Sequence, residues 1–124
     1  MGSGEIVLLV EDDASLRRMA GIQLRSLGYK VLEAEDGQAA LRVLQSESPI
    51  DLLLTDVMLG GLSGTELGRE AQELRPDLKL MYMSGYPRVG PDDRYPLERD
   101  VTLLRKPFLR KEIAVNVRKA LEAS

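Results

Sequence analysis

The sequence predicts a doubly wound α/β fold, in which helices cover both faces of a five-stranded parallel sheet. Short apolar runs alternate five times with stretches of helical periodicity, a pattern typical of consecutive βα units. Two of these runs, IVLLV and the three leucines of DLLL, are continuously apolar, as expected of strands that are buried on both sides. Because crossovers between parallel strands are right-handed, each helix packs back onto the sheet. We therefore predict a single (βα)5 domain.

The predicted strands are the apolar runs themselves, and each is short enough for a strand of a compact sheet. They are Ile6–Val10, Lys30–Ala34, Asp51–Thr55, Lys79–Met83 and Val101–Leu104.

Helices are predicted where a capping residue precedes apolar residues at helical spacing. Asp13 and Asp36 can each N-cap a helix, and Ser63 with Glu66 has the spacing of a capping box. Gly28 supplies a stop for the first helix. The apolar positions are, helix by helix, Leu16, Met19, Ala20, Leu24 and Leu27; Ala40, Leu41 and Leu44; Leu67, Ala71 and Leu74; and Ile113, Val117 and Leu121.

The segment between the fourth and fifth strands fits this pattern poorly. Pro87, Pro91 and Pro96, together with Gly90, leave little room for a regular helix. We therefore predict that the fourth helix of the (βα)5 pattern is short or distorted.

Length and composition restrict the function classes. A chain of 124 residues fits one domain, and its net charge of −3 argues against nucleic-acid binding. The sequence has no cysteine for a disulfide or thiolate metal site, and no histidine, the commonest general base. No apolar run approaches the about 18 residues of a membrane span, so we expect a cytoplasmic domain without membrane contact. We interpret residues 1–4 as a tag or linker remnant and residues 5–123 as the domain.

Polar residues that follow the apolar runs should converge at one edge of the sheet. In a parallel sheet all strands end at the same edge, where open α/β proteins bind their ligands. Glu11 and Asp12 follow the first strand, Asp56 the third, Ser84 the fourth and Lys106 comes shortly after the fifth. These residues are our candidate site.

The residue types at this edge favour phosphoryl transfer. Three adjacent carboxylates repel one another unless a hard cation such as Mg²⁺ is present, and Mg²⁺ prefers carboxylate ligands. Lys106 could bind a phosphoryl oxygen, and the Ser84 hydroxyl could donate to another. Asp56 is the candidate nucleophile, forming an acyl phosphate.

Each of these residues also has a simpler interpretation. Asp13, and Asp12 beside it, can cap the first helix, and Asp56 can act as a turn or cap residue. Ser84 before a glycine suits a turn, while Lys106 before a proline is typical of a solvated strand end. Only the combination in this order points to one site.

With these residues, the chain resembles the receiver domain of two-component response regulators from about Glu5 to Ala123. The matching pieces are VLLVEDD, LLLTDVML, MYMSGYP and RKPF. With its motif MSGYP and no output domain in these 124 residues, the chain resembles receivers at the C-terminus of hybrid sensor histidine kinases. A free-standing regulator would have the same features. The resemblance implies a flavodoxin-like fold with strand order 2-1-3-4-5.

The resemblance also implies roles for the site residues. Asp56 would accept a phosphoryl group from a phosphohistidine, and Ser84 and Lys106 would assist as the switch residue and the conserved-type lysine. Mg²⁺, or Mn²⁺, would bind to Glu11, Asp12, Asp56 and the backbone carbonyl of Met58.

The partners implied are a histidine kinase or a histidine phosphotransfer domain, in trans or on the same parent chain. A weak homodimer is a further candidate, and no nucleic acid is expected. The domain would promote its own phosphorylation and dephosphorylation without being a turnover enzyme. An aspartyl phosphatase is the enzymatic alternative, but it commonly needs a general acid two residues after the nucleophile, where Met58 cannot donate a proton.

The sequence departs from the family pattern at three places, and the last two of them leave a second hypothesis open. Gly60 stands where proline is usual, and Leu103 stands where an aromatic residue usually takes part in switching. The proline-rich segment replaces a normal fourth helix. The alternative is a pseudo-receiver, an interaction module that lacks conventional switching.

Overall fold

The structure is a computed structural model that describes residues 4–46, 48–59, 62–84, 102–105 and 110–122. For residues 84 and 102–105 it describes the backbone alone. The predicted short or distorted helix between the fourth and fifth strands lies outside this part of the chain, as do residues 1–3 of the predicted remnant at residues 1–4.

The sheet has the predicted parallel architecture. Its strands pair in the order β2-β1-β3-β4-β5, which confirms the expected doubly wound, flavodoxin-like topology. The order in which strands are added to the sheet reverses between β1 and β3: β2 lies on one side of β1, and β3 to β5 lie on the other. The carboxyl ends of β1 and β3 therefore flank a crevice. The strands are β1 Ile6–Val10, β2 Lys30–Ala34, β3 Leu52–Asp56, β4 Lys79–Ser84 and β5 Thr102–Arg105.

Three strands differ from their predicted bounds by one residue. β3 extends to Asp56, because Asp56 still pairs with Met83 of β4. Asp51 precedes the strand instead of opening it, and its carboxylate accepts a hydrogen bond from the Ile6 N–H at 2.8 Å. β4 continues to its sixth residue, Ser84, which pairs with Arg105.

Four helices are described, and the predicted caps begin the first three of them. Asp13 accepts from the Leu16 N–H at 3.0 Å, and Asp36 accepts from the Ala39 N–H at 2.8 Å. Ser63 forms the predicted capping box with Glu66. The hydrogen bond that the Ser63 backbone N–H donates to the Glu66 carboxylate lowers the pKa of that carboxyl. The helices are α1 Ala14–Ser26, α2 Gly37–Gln45, α3 Gly64–Leu74 and α4 Arg110–Glu122.

The sheet separates two hydrophobic cores. One core packs α1 and α4 against the sheet, with Leu24 and Val117 fully buried, and the other packs α2 and α3, with Leu44 and Leu67 buried. Not every predicted apolar position reaches a core. Those left substantially exposed are Leu16, Met19 and Leu74, of which the first and last occupy terminal turns of their helices.

Arg75 connects the end of α3 to the segment that follows α2. Its guanidinium donates to three backbone carbonyls, those of Leu44 at 3.1 Å, Ser46 at 2.8 Å and Ser48 at 2.6 Å. Leu44 and Ser46 lie at the C-terminus of α2, where helix carbonyls lack intrahelical partners. A single side chain therefore caps one helix from the end of another.

In the part of the chain that the structure describes, no helix combines the length and hydrophobicity that crossing a membrane requires.

Candidate functional site

Three carboxylates meet at the carboxyl edge of the sheet, as the sequence predicts. One carboxylate oxygen from each of Glu11, Asp12 and Asp56 lies within 4.8 Å of the other two. Glu11 and Asp56 are 2% and 7% exposed, whereas Asp12 is exposed. Two charges at that separation repel by on the order of 3 kcal/mol where the effective dielectric constant is 20. The cluster thus combines concentrated negative charge with limited access to water.

Asp56 is held in a defined orientation at the end of the central strand. One carboxylate oxygen, Oδ1, accepts a hydrogen bond from the Met58 N–H at 2.9 Å. The backbone continues to pair beyond the strand, because the Val57 N–H donates to the Met83 carbonyl at 2.9 Å. The acceptor candidate is therefore fixed through both its side chain and the strand that carries it.

Glu11 is held by contacts on its backbone and its side chain. Its N–H donates to the Ala34 carbonyl at 3.2 Å, so it is tied to the end of β2. Its Oε1 accepts from the Asp13 N–H at 3.2 Å, and its carbonyl accepts from the Arg17 guanidinium at 2.7 Å. These contacts fix the turn that leads from β1 into α1.

The first turn of α3 lies directly against the strand end that carries Asp56. The Gly64 N–H donates to the Val57 carbonyl at 2.9 Å. A Cβ atom at Gly64 would overlap the Asp56 carbonyl oxygen and would lie 2.9 Å from the Val57 Cα. In the sequence, Gly60, Gly61 and Gly64 together predict a flexible connection between β3 and α3. The one sequence feature that places Gly64 inside a helix is its position directly after the capping residue Ser63.

The other predicted site residues are placed less completely. Ser84 is the last residue of β4, the strand that neighbours β3, so its backbone is at the same edge. Leu103 pairs with Tyr82 in the sheet register. Lys106 and Gly60 lie outside the described residues.

The clustered residues fit a hard divalent cation. Their donors are carboxylate oxygens, which Mg²⁺ prefers, and no softer nitrogen or sulfur ligand is found among them. Two buried carboxylates and one exposed carboxylate would hold such an ion at the carboxyl edge of the sheet. Such a cation would offset the repulsion within the cluster.

Sequence comparison identifies relatives over nearly the whole chain. The family model of the response regulator receiver domain matches residues 7–118. The response regulator receiver protein CpdR of Brucella abortus (strain 2308) is 39% identical over 120 residues, covering 95% of this chain and 98% of CpdR. The sensor kinase CckA of the same organism is 36% identical over 118 residues, which are 94% of this chain but 12% of CckA.

Solved structures agree with the sequence comparison. The receiver domain of the hybrid histidine kinase CckA is 36% identical with a TM-score of 0.79, covering 94% of this chain and 99% of that one. The receiver domain of the sensor histidine kinase PA1611 from Pseudomonas aeruginosa PAO1 is 27% identical with a TM-score of 0.83, covering 97% and 99%. In that structure a magnesium ion is coordinated in the active-site cleft. The chain belongs to the response regulator receiver domain family of two-component signalling.

Proposed function

We propose that this domain accepts a phosphoryl group on Asp56 in a Mg²⁺-dependent reaction. The observation that carries the proposal is the carboxylate cluster, in which the nearly buried Asp56 is joined by Glu11 and Asp12 at the carboxyl edge of the sheet. The donor would be a phosphohistidine on a histidine kinase or a histidine phosphotransfer domain, in trans or on the same parent chain. Relatedness to the sensor kinase CckA supports a partner of this class.

The proposed reaction is a direct displacement at phosphorus. A carboxylate oxygen of Asp56 forms a new P–O bond while the P–N bond of the phosphohistidine breaks, and the departing imidazole nitrogen takes up a proton. Mg²⁺ bound by Glu11, Asp12, Asp56 and the Met58 carbonyl would supply positive charge that balances the transferring phosphoryl oxygens. The hydrogen bond from the Met58 N–H to Asp56 holds the carboxylate in one orientation for attack.

Two further residues complete the proposed site. Ser84 ends the neighbouring strand, so its hydroxyl is proposed to donate to a phosphoryl oxygen. Lys106 follows β5 in the sequence, and its ammonium is proposed to bind another phosphoryl oxygen as a compact positive charge. Both assignments rest on sequence position and on membership of the family.

The phosphorylated domain is proposed to be a signalling state instead of an intermediate in a turnover cycle. The side chain two residues after Asp56 is Met58, which can neither donate a proton nor activate water. Slow self-catalysed loss of the phosphoryl group would then reset the domain. We place the reaction in the cytoplasm, which a domain without cysteine suits, and assign it to residues 5–123.

Acetyl phosphate with Mg²⁺ is expected to add one phosphoryl group to the wild-type protein, measured as intact mass. Asp56→Asn should show no addition, because an amide oxygen cannot form the acyl phosphate. Chelation of the metal with EDTA should also prevent it. Asp77→Asn, which changes an exposed carboxylate in the turn before β4, is the matched control and should be modified like the wild type. An adduct that persists in Asp56→Asn would refute the proposal.

Switching is proposed to follow phosphorylation and is tested separately with beryllofluoride, a phosphoryl mimic. Leu103, in place of an aromatic residue, favours the competing pseudo-receiver hypothesis. If the domain switches, beryllofluoride and Mg²⁺ should shift amide NMR signals of Leu103, its register partner Tyr82 and residues 86–97. Shifts confined to the carboxyl edge of the sheet would instead support an interaction module that is modified without switching.

A further inference from the structure

Arg17 connects the carboxylate cluster to the end of β2. Its Nη1 donates to the Glu11 carbonyl at 2.7 Å, and its Nε lies 3.6 Å from Oε1 of Glu33. The side chain is 20% exposed, so water competes only partly with these contacts. The guanidinium is therefore shared between the turn that carries two candidate metal ligands and the neighbouring strand.

The location of Arg17 opposes a local rule of helix stability. Its N–H makes the first intrahelical bond of α1, to the Asp13 carbonyl at 2.9 Å, so the residue lies one turn from the helix N-terminus. Positive charge near a helix N-terminus is unfavourable because of the helix dipole. The direction of helical side chains, back toward the N-terminus, explains how the guanidinium reaches a residue that precedes the helix. Such a local conflict is expected where a residue has another role.

Glu33 is itself held in place, which makes the connection more rigid. Its Oε2 lies 3.0 Å from Nη2 of Arg25, about two turns beyond Arg17 along α1. Gly21 leaves space for this pair, since a Cβ there would lie 3.2 Å from the Glu33 carboxylate. The single negative charge of Glu33 is therefore shared by Arg17 and Arg25, and the contact that Arg17 makes with the turn itself is its directional hydrogen bond to the Glu11 carbonyl.

We propose that Arg17 is a positioning residue for divalent-cation binding. It holds residues 11–13, the turn between β1 and α1, so that the carboxylates of Glu11 and Asp12 face Asp56. The inference rests on the proposed Mg²⁺ site, and it assigns Arg17 no contact with the ion or with a phosphoryl group. Without the hydrogen bond to the Glu11 carbonyl, the turn samples conformations in which one carboxylate points away. The affinity for the ion is then multiplied by the fraction of molecules in which both carboxylates still face Asp56.

The test is a Mg²⁺ titration of the unphosphorylated protein, followed by amide NMR signals of residues 11–13 and 56–58. Residues that orient metal ligands typically contribute about 10- to 100-fold in affinity. For this partly exposed contact we expect Arg17→Ala to bind Mg²⁺ about 3- to 10-fold more weakly than the wild type. Arg17→Lys keeps the charge and can reach the carbonyl with one ammonium, so its affinity should fall between the two.

Arg18→Ala is the matched control, because it removes the same charge from the next position of α1. Arg18 is exposed, and among the described residues it makes no hydrogen bond or ion pair. Its removal should leave Mg²⁺ affinity within about 2-fold of the wild type, the screened effect of an exposed charge. Thermal unfolding in EDTA shows whether each variant is folded. Should Arg17→Ala not fold, weaker binding by Arg17→Lys than by Arg18→Ala supports the proposal.

The outcomes separate this inference from the proposed function. Wild-type protein that binds no Mg²⁺ would overturn the metal site itself. Wild-type binding that Arg17→Ala and Arg18→Ala weaken equally, or leave unchanged, would overturn the positioning role and retain the metal site. Tighter binding by Arg17→Ala would overturn it as well, since Arg17 would then act by repelling the cation.

Discussion

Replacing Gly64 by alanine is expected to lower the free energy of unfolding by about 3 kcal/mol, the upper range for overpacking a tightly packed position. The added Cβ would overlap the Asp56 carbonyl oxygen and approach the Asp56 carbonyl carbon to 2.8 Å. These obstacles belong to the backbone of the buried strand β3 and cannot rotate away. Because Gly64 has no positive φ, the loss would reflect steric contact and not a strained conformation. Urea denaturation measures it directly.

Gly37→Ala is the matched control for Gly64→Ala. Each glycine is the first residue of a helix and directly follows the N-cap residue. A Cβ at Gly37 would meet the Leu62 side chain, at 3.0 Å from Cδ2, and a leucine side chain can adjust. We expect Gly37→Ala to change stability by less than about 1 kcal/mol. Equal losses in the two variants would contradict the steric contact between Gly64 and the end of β3.

Arg75→Ala is expected to lower the free energy of unfolding by about 2 kcal/mol. The substitution removes three hydrogen bonds from one guanidinium to the carbonyls of Leu44, Ser46 and Ser48. Hydrogen bonds to charged groups contribute about 1.5–3 kcal/mol when shielded, but the freed carbonyls here can partly rehydrate. The loss should therefore be less than the sum of three such bonds. Chemical denaturation, combined with the helical circular dichroism signal, provides the measurement.

Arg42→Ala serves as the control for Arg75→Ala. Arg42 is an exposed arginine in the last turn of α2, and within the described part of the chain it forms no hydrogen bond or ion pair. Its removal should cost less than about 0.5 kcal/mol, as expected of surface substitutions. If Arg75→Ala were as mild as Arg42→Ala, the connection between α2 and α3 would be of no consequence for stability.

The fold could be predicted because its signals are local. Continuous apolar runs mark the strands, and caps such as Asp13 and Asp36 begin helices through hydrogen bonds that span three residues. The candidate carboxylates could be predicted for a related reason. Once the strands are known to be parallel, their ends meet, and the spacing of Glu11 from Asp56 along the chain ceases to matter.

Contacts between distant elements could not be predicted in the same way. Arg75 reaches Leu44 across 31 positions of sequence, and the partner of Arg17 in β2 depends on how α1 packs over that strand. The glycines around Gly64 predict a flexible connection, because glycine usually signals flexibility. The actual role of Gly64 depends on the distance between α3 and β3, and no pattern within either element specifies that distance.

The strand that carries Asp56 belongs to both hydrophobic cores at once. Leu52 and Leu54 pack with α1 and α4, whereas Leu53 packs with α2 and α3. Opening β3 locally would expose apolar surface on both sides, so its amides should exchange with solvent only through global unfolding. The proposed phosphorylation of Asp56 would therefore act at the end of a strand that resists local opening. A motion that transmits the proposed signal would then begin beyond the end of β3, where the described residues Leu59 and Leu62 pack against the core of α2 and α3.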